Sequence, residues 1–353
     1  MNAPTADARV RLIEAWLRDE LHWPLARLAP ASADASFRRY FRVWRADGVT
    51  RVVMDAPPDK EDVVTYMRVS SLLERCSLHV PHIEAADTRR GLILLEDLGA
   101  THLLSRLQEG ADADALYGDA LQSLTRLQLA SPALAAELPP YDRAVLAREM
   151  ALMPEWFCRQ HLRLAEDDES RALLQGTAEF LVREILQQPI VLVHRDYHSR
   201  NLMITPERSP GVIDFQDALA GPIGYDLVSL LKDCYIDWPR SRVEGWVRAH
   251  HARLRAAGMP LAGESQFLRW FDLVGLQRHI KVLGIFARLW YRDGKSGYLA
   301  DLPRTLEYVR DTAHRYDELA GFAAWVESAL VPALPAANLR AIHEAPASPR
   351  TSQ

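Results

Sequence analysis

Two short apolar runs on either side of a polar loop constrain this chain more than any other feature. The first run, Ile190–Val193, is rich in β-branched residues and predicts a short buried strand. A second run, Leu202–Ile204, follows the loop, and after a Pro/Gly-containing turn Val212–Ile213 makes a third. Asp196 then lies in the loop after one strand, and Asp214 lies at the end of another. Such a segment can hold two carboxylates and an amide at one edge of a cleft.

Phosphoryl transfer to a hydroxyl requires this set of side chains. One carboxylate orients and deprotonates the hydroxyl, while a second carboxylate and an Asn oxygen hold Mg²⁺ on the nucleotide phosphates. An H-R-D-x-x-x-x-N pattern ends at Asn201, and a D-F pair begins at Asp214, with Gln216 where D-F-G has glycine. We predict Asp196 as the catalytic base, and Asn201 and Asp214 as metal ligands. The alternative is that both aspartates are turn residues and that His194 is a core histidine.

The segment resembles the aminoglycoside phosphotransferase and choline kinase-like family, whose members are relatives of the protein kinases. That family carries H-x-D-x-x-x-x-N, then I-D-F or I-D-W, a glycine and a further Asp-Leu, here at His194–Asn201, Ile213–Phe215, Gly221 or Gly224, and Asp226–Leu227. Within the family the chain most resembles the bacterial anomeric sugar kinases that act on N-acetylmuramate and N-acetylglucosamine. The pieces that carry this likeness are ASFRRYFRV, VVMDAPP, LLEDLG and KVLGIFARLWYRDGK.

The resemblance implies a fold and a reaction. The fold is α+β, bilobal and protein-kinase-like, with a small sheet-rich lobe at 1–96 and a mainly helical lobe at 97–342. The reaction is ATP-dependent phosphorylation of the anomeric C1 hydroxyl of the two sugars in cell-wall sugar recycling, with ATP and Mg²⁺ as cofactors. Asp226 is then a structural residue that caps backbone N–H groups at the start of a helix.

Residues 343–353 are rich in Pro and Ser, and we predict a disordered tail there.

The small lobe departs from the kinase pattern at its phosphate-binding elements. Ala31–Ser36 takes the place of the Gly-rich loop but has no glycine, and Ser36 could donate to a phosphate. The third predicted strand lacks the kinase Lys. Arg38 and Arg39 are the nearest cations that could replace it, and Arg suits bidentate phosphate contacts. Only one can face the cleft, because neighbouring strand residues point to opposite sides. The alternative is that both are solvated.

Kinase-like folds bind the adenine edge through backbone groups at the end of the small lobe. By resemblance, we assign this contact to the carbonyl of Glu96 and the N–H of Leu98. Asp97, between them, could equally cap a helix.

The predicted helix near residues 265–291 carries the best indication of the acceptor. Arg278, Lys281, Arg288 and Arg292 recur along one helical face. A solvated basic face is the default explanation. The sharper hypothesis is that Arg278 and Lys281 bind the lactyl carboxylate of N-acetylmuramate, a group that N-acetylglucosamine lacks.

Two acidic residues are further candidates for binding the acceptor. Glu149 lies in a helical region that lines the acceptor pocket in relatives, although a solvated helix Glu is the default expectation. Asp217 follows Asp214 closely and could bind a sugar hydroxyl or lie near the metal.

Composition excludes some classes of function. The net charge of −5 argues against non-specific nucleic-acid binding. Three widely spaced cysteines indicate reduced thiols in a cytosolic protein. We see no apolar run near the length of a membrane span and no signal-peptide core. We therefore predict a cytoplasmic protein, expected to be a monomer, with a small-molecule amino sugar as partner and with neither nucleic acid nor membrane.

Three alternative functions stay open. An aminoglycoside or other small-alcohol kinase takes a polycationic or neutral acceptor, and a polycation calls for a carboxylate-rich pocket. A protein kinase should carry an A-P-E activation segment, which we do not find. A non-enzymatic nucleotide-binding module would explain the missing Lys and glycines, but it has no need of Asp196 together with Asn201 and Asp214.

Overall fold

A computed structural model describes residues 5–33, 37–130 and 132–344, which form two compact units. The first unit is drawn from residues 1–126 and 200–217, and the second from 127–199 and 218–353. The lobe boundary predicted after residue 96 stays a prediction. Residues 345–353 of the predicted tail lie outside the described residues, and the last helix ends at His343.

The first part of the chain contains five strands with one helix before them and one helix after the third strand, and helices dominate the rest. The strands are β1 (Leu25–Ala33), β2 (Arg39–Arg45), β3 (Thr50–Asp55), β4 (Ile83–Asp87), β5 (Leu92–Glu96), β6 (Ile190–Val193), β7 (Leu202–Met203), β8 (Gly211–Val212) and β9 (Leu219–Pro222). The helices are α1 (Thr5–Ala15), α2 (Val63–Arg75), α3 (Leu103–Gln108), α4 (Ala113–Gln128), α5 (Pro132–Ala135), α6 (Arg143–Met150), α7 (Asp168–Ile185), α8 (Gly224–Leu231), α9 (Arg240–Ala256), α10 (Glu264–Tyr291), α11 (Leu302–Ala313), α12 (Ala320–Trp325) and α13 (Val331–His343). π-Helical turns extend α1 to Glu20 and occupy 153–162 and 326–330.

The first unit is built on a five-stranded antiparallel sheet in the order β1-β2-β3-β5-β4. Alternate residues of β2, Phe41 and Val43, point to one face of this sheet and are buried there. The α1 segment covers the same face with Ile13, Trp16 and Leu17. The predicted α+β class of the fold is thus confirmed.

The second unit is organised around α10, a helix of 28 residues. Its middle portion is buried on all sides, because apolar side chains occur around its whole circumference rather than on one stripe. The ribbon of β6 and β9 belongs to the same unit, with Val193 opposite Leu219 at the end of β6. This ribbon ends where the predicted catalytic loop begins.

One helical stretch is longer and more apolar than composition led us to expect. Residues Asp317–His343 run through α12 and α13 and are long and apolar enough to cross a membrane, by length and composition only. A third of the most apolar window is buried inside the protein, and core helices of soluble proteins pass the same test. The absence of a membrane partner therefore stays a prediction.

We expect Gly284→Ala to destabilise the helical unit. A Cβ at Gly284 would lie 2.5 Å from the carbonyl oxygen of Leu152, closer than real Cβ contacts allow. Relieving such a clash costs about 1–3 kcal/mol, so the thermal unfolding midpoint should fall. Gly245→Ala in the exposed face of α9 is the matched control, since nothing lies within 4 Å of its Cβ position. There, Ala should stabilise the helix by up to about 1 kcal/mol. Equal midpoints for the two variants would contradict the close approach.

Candidate active site

One buried carboxylate holds the loop after β6 through the backbone. Asp226 accepts the N–H of His194 at 2.7 Å and the N–H of Arg195 at 3.0 Å. From the resemblance, we predict that Asp226 caps backbone N–H groups at the start of its own helix. In the structure it instead accepts hydrogen bonds from backbone N–H groups of the predicted catalytic loop. Burial raises the pKa of Asp226 to about 7, against the two N–H bonds, which lower it.

The backbone of this loop is strained next to the predicted base. Arg195 has a φ of +77°, in the left-handed region that L-residues with a side chain rarely adopt. Such conformations persist where surrounding contacts enforce them, and they cluster at functional sites. The N–H of Asp196 lies 3.3 Å from Nδ1 of the fully buried His194, so this histidine supports the loop from inside the protein.

Cations surround the predicted base. Burial by itself would raise the pKa of Asp196, but His198, Lys281 and Arg278 together with Arg195 hold that pKa below its ordinary value. Asp196 is therefore a carboxylate at neutral pH, able to accept a hydrogen bond from a hydroxyl and later its proton.

Glu149 is the centre of a second set of charges, which we call the Glu149 cluster. Its carboxylate is 2.9 Å from Nζ of Lys281 and accepts a hydrogen bond from Nε2 of Gln277 at 3.2 Å. The hydroxyl of Tyr141 and the guanidinium of Arg195 donate to it as well. Burial raises the pKa of Glu149, but the two cations outweigh burial and keep the pKa below normal.

The default expectation of a solvated Glu149 is wrong. Only 6% of this residue is exposed, because α6 turns it inward toward α10 and away from solvent.

The default expectation of a solvated basic face on α10 is wrong for Arg278 and Lys281, although Arg292 is exposed. Arg278 is 4% exposed and Lys281 is 8% exposed. Nη1 of Arg278 lies 3.8 Å from Sγ of Cys234, and Nζ of Lys281 donates to the hydroxyl of Tyr225 at 3.0 Å. Both cations are therefore inside the helical unit beside the catalytic loop, whereas Arg292 pairs with its neighbour Asp293 near the surface.

The two predicted metal ligands lie together in the first unit. The amide of Asn201 is 3.3 Å from the Asp214 carboxylate, and the Gln216 amide donates to that carboxylate at 2.9 Å. Asp214 has a φ of +65°, a second left-handed residue in the predicted site. Mg²⁺ that arrives with a nucleotide needs only one or two protein oxygens, because phosphates and water complete its octahedron. The donor set fits, and in the ranges that the structure describes no cluster of three or more His, Cys, Asp or Glu offers a separate metal cage.

Arg38 and Arg39 point to different partners. Arg38 is 7% exposed, and its Nη2 is 3.5 Å from Oδ1 of Asp214. Arg39 instead pairs with the buried Asp55, which also binds Arg9 of α1. Arg38 is thus the arginine beside the predicted metal site. Ser36, the other predicted phosphate ligand, lies outside the described residues.

A cavity of about 310 Å³ lies within the first unit beside Asn201 and Asp214. Glu96, Leu98 and Tyr66 line it, with Tyr40, Val52, Leu95 and Met203 among the other walls. The guanidinium of Arg42 donates two hydrogen bonds to the Asp97 carboxylate, 2.7 and 2.9 Å long. It donates a third, 2.8 Å long, to the carbonyl oxygen of Gly99. The Asp97 side chain therefore anchors the segment between the strands and α3.

Two further cavities differ from this one. Asp217 lines a smaller cavity of about 180 Å³ in the first unit, together with Arg38 and Gln216. A larger cavity of about 510 Å³ lies in the helical unit between α6, α7 and α12, with mostly apolar walls. None of the predicted site residues lines the larger cavity, so size alone does not identify the site.

Some residues of the candidate site belong to no sequence motif and were not predicted. Tyr141, Gln277 and Tyr225 contact the charged groups beside the catalytic loop, and Arg42 shapes the nucleotide-side cavity. No spacing in the sequence singles them out. Arg195 is part of the H-R-D pattern itself, which is a signal, although the pattern does not indicate its partner.

Known proteins resemble this chain over most of its length. Residues 27–261 match the phosphotransferase enzyme family. An N-acetylmuramate/N-acetylglucosamine kinase of Pseudomonas putida is 44% identical over 329 residues, which cover 90% of this chain and 95% of that protein. A kinase of the same name from Neisseria meningitidis is 48% identical over 82% of this chain and 86% of its own length.

Solved structures share the fold at low sequence identity. Plasmodium vivax ethanolamine kinase superposes with a TM-score of 0.63 at 14% identity, over 88% of this chain and 90% of that one. The ADP-bound aminoglycoside phosphotransferase APH(2'')-Ib gives 0.58 at 15% identity, over 86% and 98%. The predicted protein-kinase-like fold is confirmed. With a family match over most of its length and relatives above 40% identity, the chain belongs to the phosphotransferase enzyme family.

Proposed function

We propose that this phosphotransferase transfers the γ-phosphoryl group of ATP to the anomeric C1 hydroxyl of N-acetylmuramate and N-acetylglucosamine. The proposal is supported by the names of its relatives and, above all, by the cations around Asp196. Lys281, Arg278 and Arg195 suit a neutral or anionic acceptor and repel a polycation. These cations therefore disfavour the alternative function of an aminoglycoside kinase, whose acceptor is a polycation.

The reaction assigns each proposed residue one task. Asp196 accepts a hydrogen bond from the sugar hydroxyl and turns its oxygen toward the γ-phosphorus. That oxygen forms the new P–O bond as the bond from the γ-phosphorus to the β,γ-bridging oxygen breaks, and ADP leaves. The hydroxyl proton passes to Asp196 late, since the loose transition state asks little of the base. Arg38 neutralises phosphate oxygens, as the missing Lys would.

Mg²⁺, held by Asn201 and Asp214, would screen the charge of the phosphate oxygens. Within the cavity of the first unit, the Glu96 carbonyl and the Leu98 N–H are proposed to bind the adenine edge. Asp217 remains a candidate for a sugar hydroxyl or the metal environment, and Ser36 for a phosphate oxygen.

We also propose a cytoplasmic monomer that uses neither nucleic acid nor membrane. ATP is made available in the cytoplasm, and the three cysteines are free and buried, as expected for a reducing compartment.

An acceptor panel tests the function directly. We expect ATP consumption with N-acetylmuramate and N-acetylglucosamine, none with kanamycin or choline, and a 1-phosphate product in phosphorus NMR. Asp196→Asn should lower kcat by about 10²–10⁴-fold while the variant still binds MgATP. Asp168→Asn is the control, because its carboxylate is 98% exposed. Turnover only with kanamycin or choline would discard the sugar assignment. Binding of MgATP without any turnover would favour a nucleotide-binding module.

Arg38→Met should weaken nucleotide use, and its neighbour supplies the control. Loss of a charged contact to phosphate is worth about 1.5–3 kcal/mol, so the KM for MgATP should rise at least tenfold. Arg39→Met removes the same charge one residue away, but from the buried Asp55. It should lower the thermal midpoint and leave that KM unchanged. A higher KM in Arg39→Met alone would reverse the assignment.

Arg278→Met should change the choice between the two sugars. If its guanidinium binds the lactyl carboxylate, kcat/KM for N-acetylmuramate should fall by about 10–100-fold more than for N-acetylglucosamine, the equivalent of 1.5–3 kcal/mol. Lys281→Met, made in parallel, shows which cation matters more. Equal losses on both sugars would mean that the residue acts on Asp196 or on folding and not on the carboxylate.

A further inference from the structure

The Glu149 carboxylate is fully occupied by the protein itself. Four donors reach it from three separate segments: Tyr141 before α6, Arg195 of the catalytic loop, and Gln277 and Lys281 of α10. A carboxylate offers about four lone-pair positions. Glu149 therefore has no capacity left for a sugar hydroxyl, and its candidacy as an acceptor ligand is replaced by a different role.

The Glu149 cluster is joined directly to the predicted base. Arg195 precedes Asp196 in the chain, and its left-handed backbone sets the direction in which Asp196 leaves it. Lys281 acts on both carboxylates, since it pairs with Glu149 at 2.9 Å and its charge lowers the pKa of Asp196. Any shift of Glu149 must therefore move both cations relative to the base.

We propose that Glu149 is a positioning residue that acts on the catalytic Asp196 through the two cations it binds. It holds the Arg195 side chain and so the strained loop. Its negative charge also neutralises part of the positive charge of Arg195 and Lys281 near Asp196. The inference rests on the proposed role of Asp196 as the base that receives the acceptor proton.

A second buried cluster in the same unit is chemically matched but does not hold the catalytic loop. Asp272 of α10 is bound by Arg240 at 2.9 Å, by the Tyr316 hydroxyl at 3.0 Å and by Lys232 at 3.7 Å. It shares three of the four partner types of Glu149, namely one Arg, one Lys and one Tyr, and lacks only the Gln. Asp272→Asn is therefore a control for the general cost of neutralising a buried, paired carboxylate.

The charged and titratable groups facing both carboxylates come from several elements. Those facing Asp196 are His198, Arg195, Arg278, Lys281 and Asp226. Those facing Glu149 are Tyr141, Arg195 and Lys281, with the neutral Gln277.

The test is the pH dependence of kcat/KM for the acceptor in a series of variants. Glu149→Gln should lower kcat/KM by about a hundredfold through misplacement of Asp196, with the KM for MgATP unchanged. The freed cations then favour the carboxylate form of Asp196. The part of the acidic limb that Asp196 sets, which lies below the part set by Asp226 with its pKa of about 7, should therefore move to lower pH by about one unit. Lys281→Met should move the limb to higher pH, and the double variant should bring it back toward the wild-type position.

Glu149→Asp separates position from charge and is the variant to use if the amide does not fold. It keeps the negative charge but draws it back by one methylene, so kcat/KM should fall while the acidic limb stays in place. Asp272→Asn should lower the thermal midpoint as Glu149→Gln does, but leave the limb and kcat/KM unchanged.

Identical behaviour of Glu149→Gln and Asp272→Asn would overturn the inference and leave Glu149 a structural residue. The series is measured both with sugar and as acceptor-free ATP hydrolysis, in which water replaces the sugar hydroxyl. If the wild-type protein hydrolyses ATP but phosphorylates neither sugar, the proposed function fails, and the hydrolysis profiles still decide the role of Glu149.

Discussion

Two hydrogen bonds from the backbone to the buried Asp226 carboxylate set the geometry on which the catalytic loop depends. They fix the peptide groups of His194 and Arg195, and they stabilise the left-handed conformation of Arg195. An unpaired buried N–H costs about 1–3 kcal/mol, so loss of Asp226 would cost more than the strain it supports. Asp226 belongs to α8, which packs against α10. The position of the base is thereby tied to the core of the helical unit.

The helical unit contains an unusual amount of buried charge, and it neutralises that charge locally. Burying an ion is costly unless it is paired and hydrogen-bonded. The Glu149 cluster and the group around Asp272 each meet this condition with Arg, Lys and Tyr partners. Only the first includes the catalytic loop. The same residues that permit burial also set the charge around Asp196, so in the proposed function folding and acceptor choice would depend on one set of side chains.

Beside the predicted metal ligands, the partners of two adjacent arginines decide which of them lies at the site. Arg39 is the first residue of β2 and Arg38 lies just before this strand, so the alternation of strand side chains does not by itself fix their directions. The buried Asp55 binds Arg39 and Arg9, and so Arg38 is the one directed to Asp214. The sequence predicts that one of the two replaces the kinase Lys. It does not predict which one, because the position of Asp55 relative to α1 depends on how the helix packs on the sheet.

The class of fold, the family and the candidate residues Asp196, Asn201 and Asp214 could be predicted from the sequence alone. The three residues follow from short-range patterns, namely apolar runs of strand length, a fixed spacing in one loop and a D-F pair, whereas the fold and the family come from the resemblance that short motifs carry. The burial of Glu149, Arg278 and Lys281, and the binding of Asp226 to the predicted catalytic loop, are visible only in the packing of the folded chain. Periodicity gives the face of a helix but not what covers it. The partners of these charges come from distant segments, since Arg195 is 46 positions and Gln277 is 128 positions after Glu149 in the chain. Burial and pairing at such separations are properties of packing, which no local pattern contains.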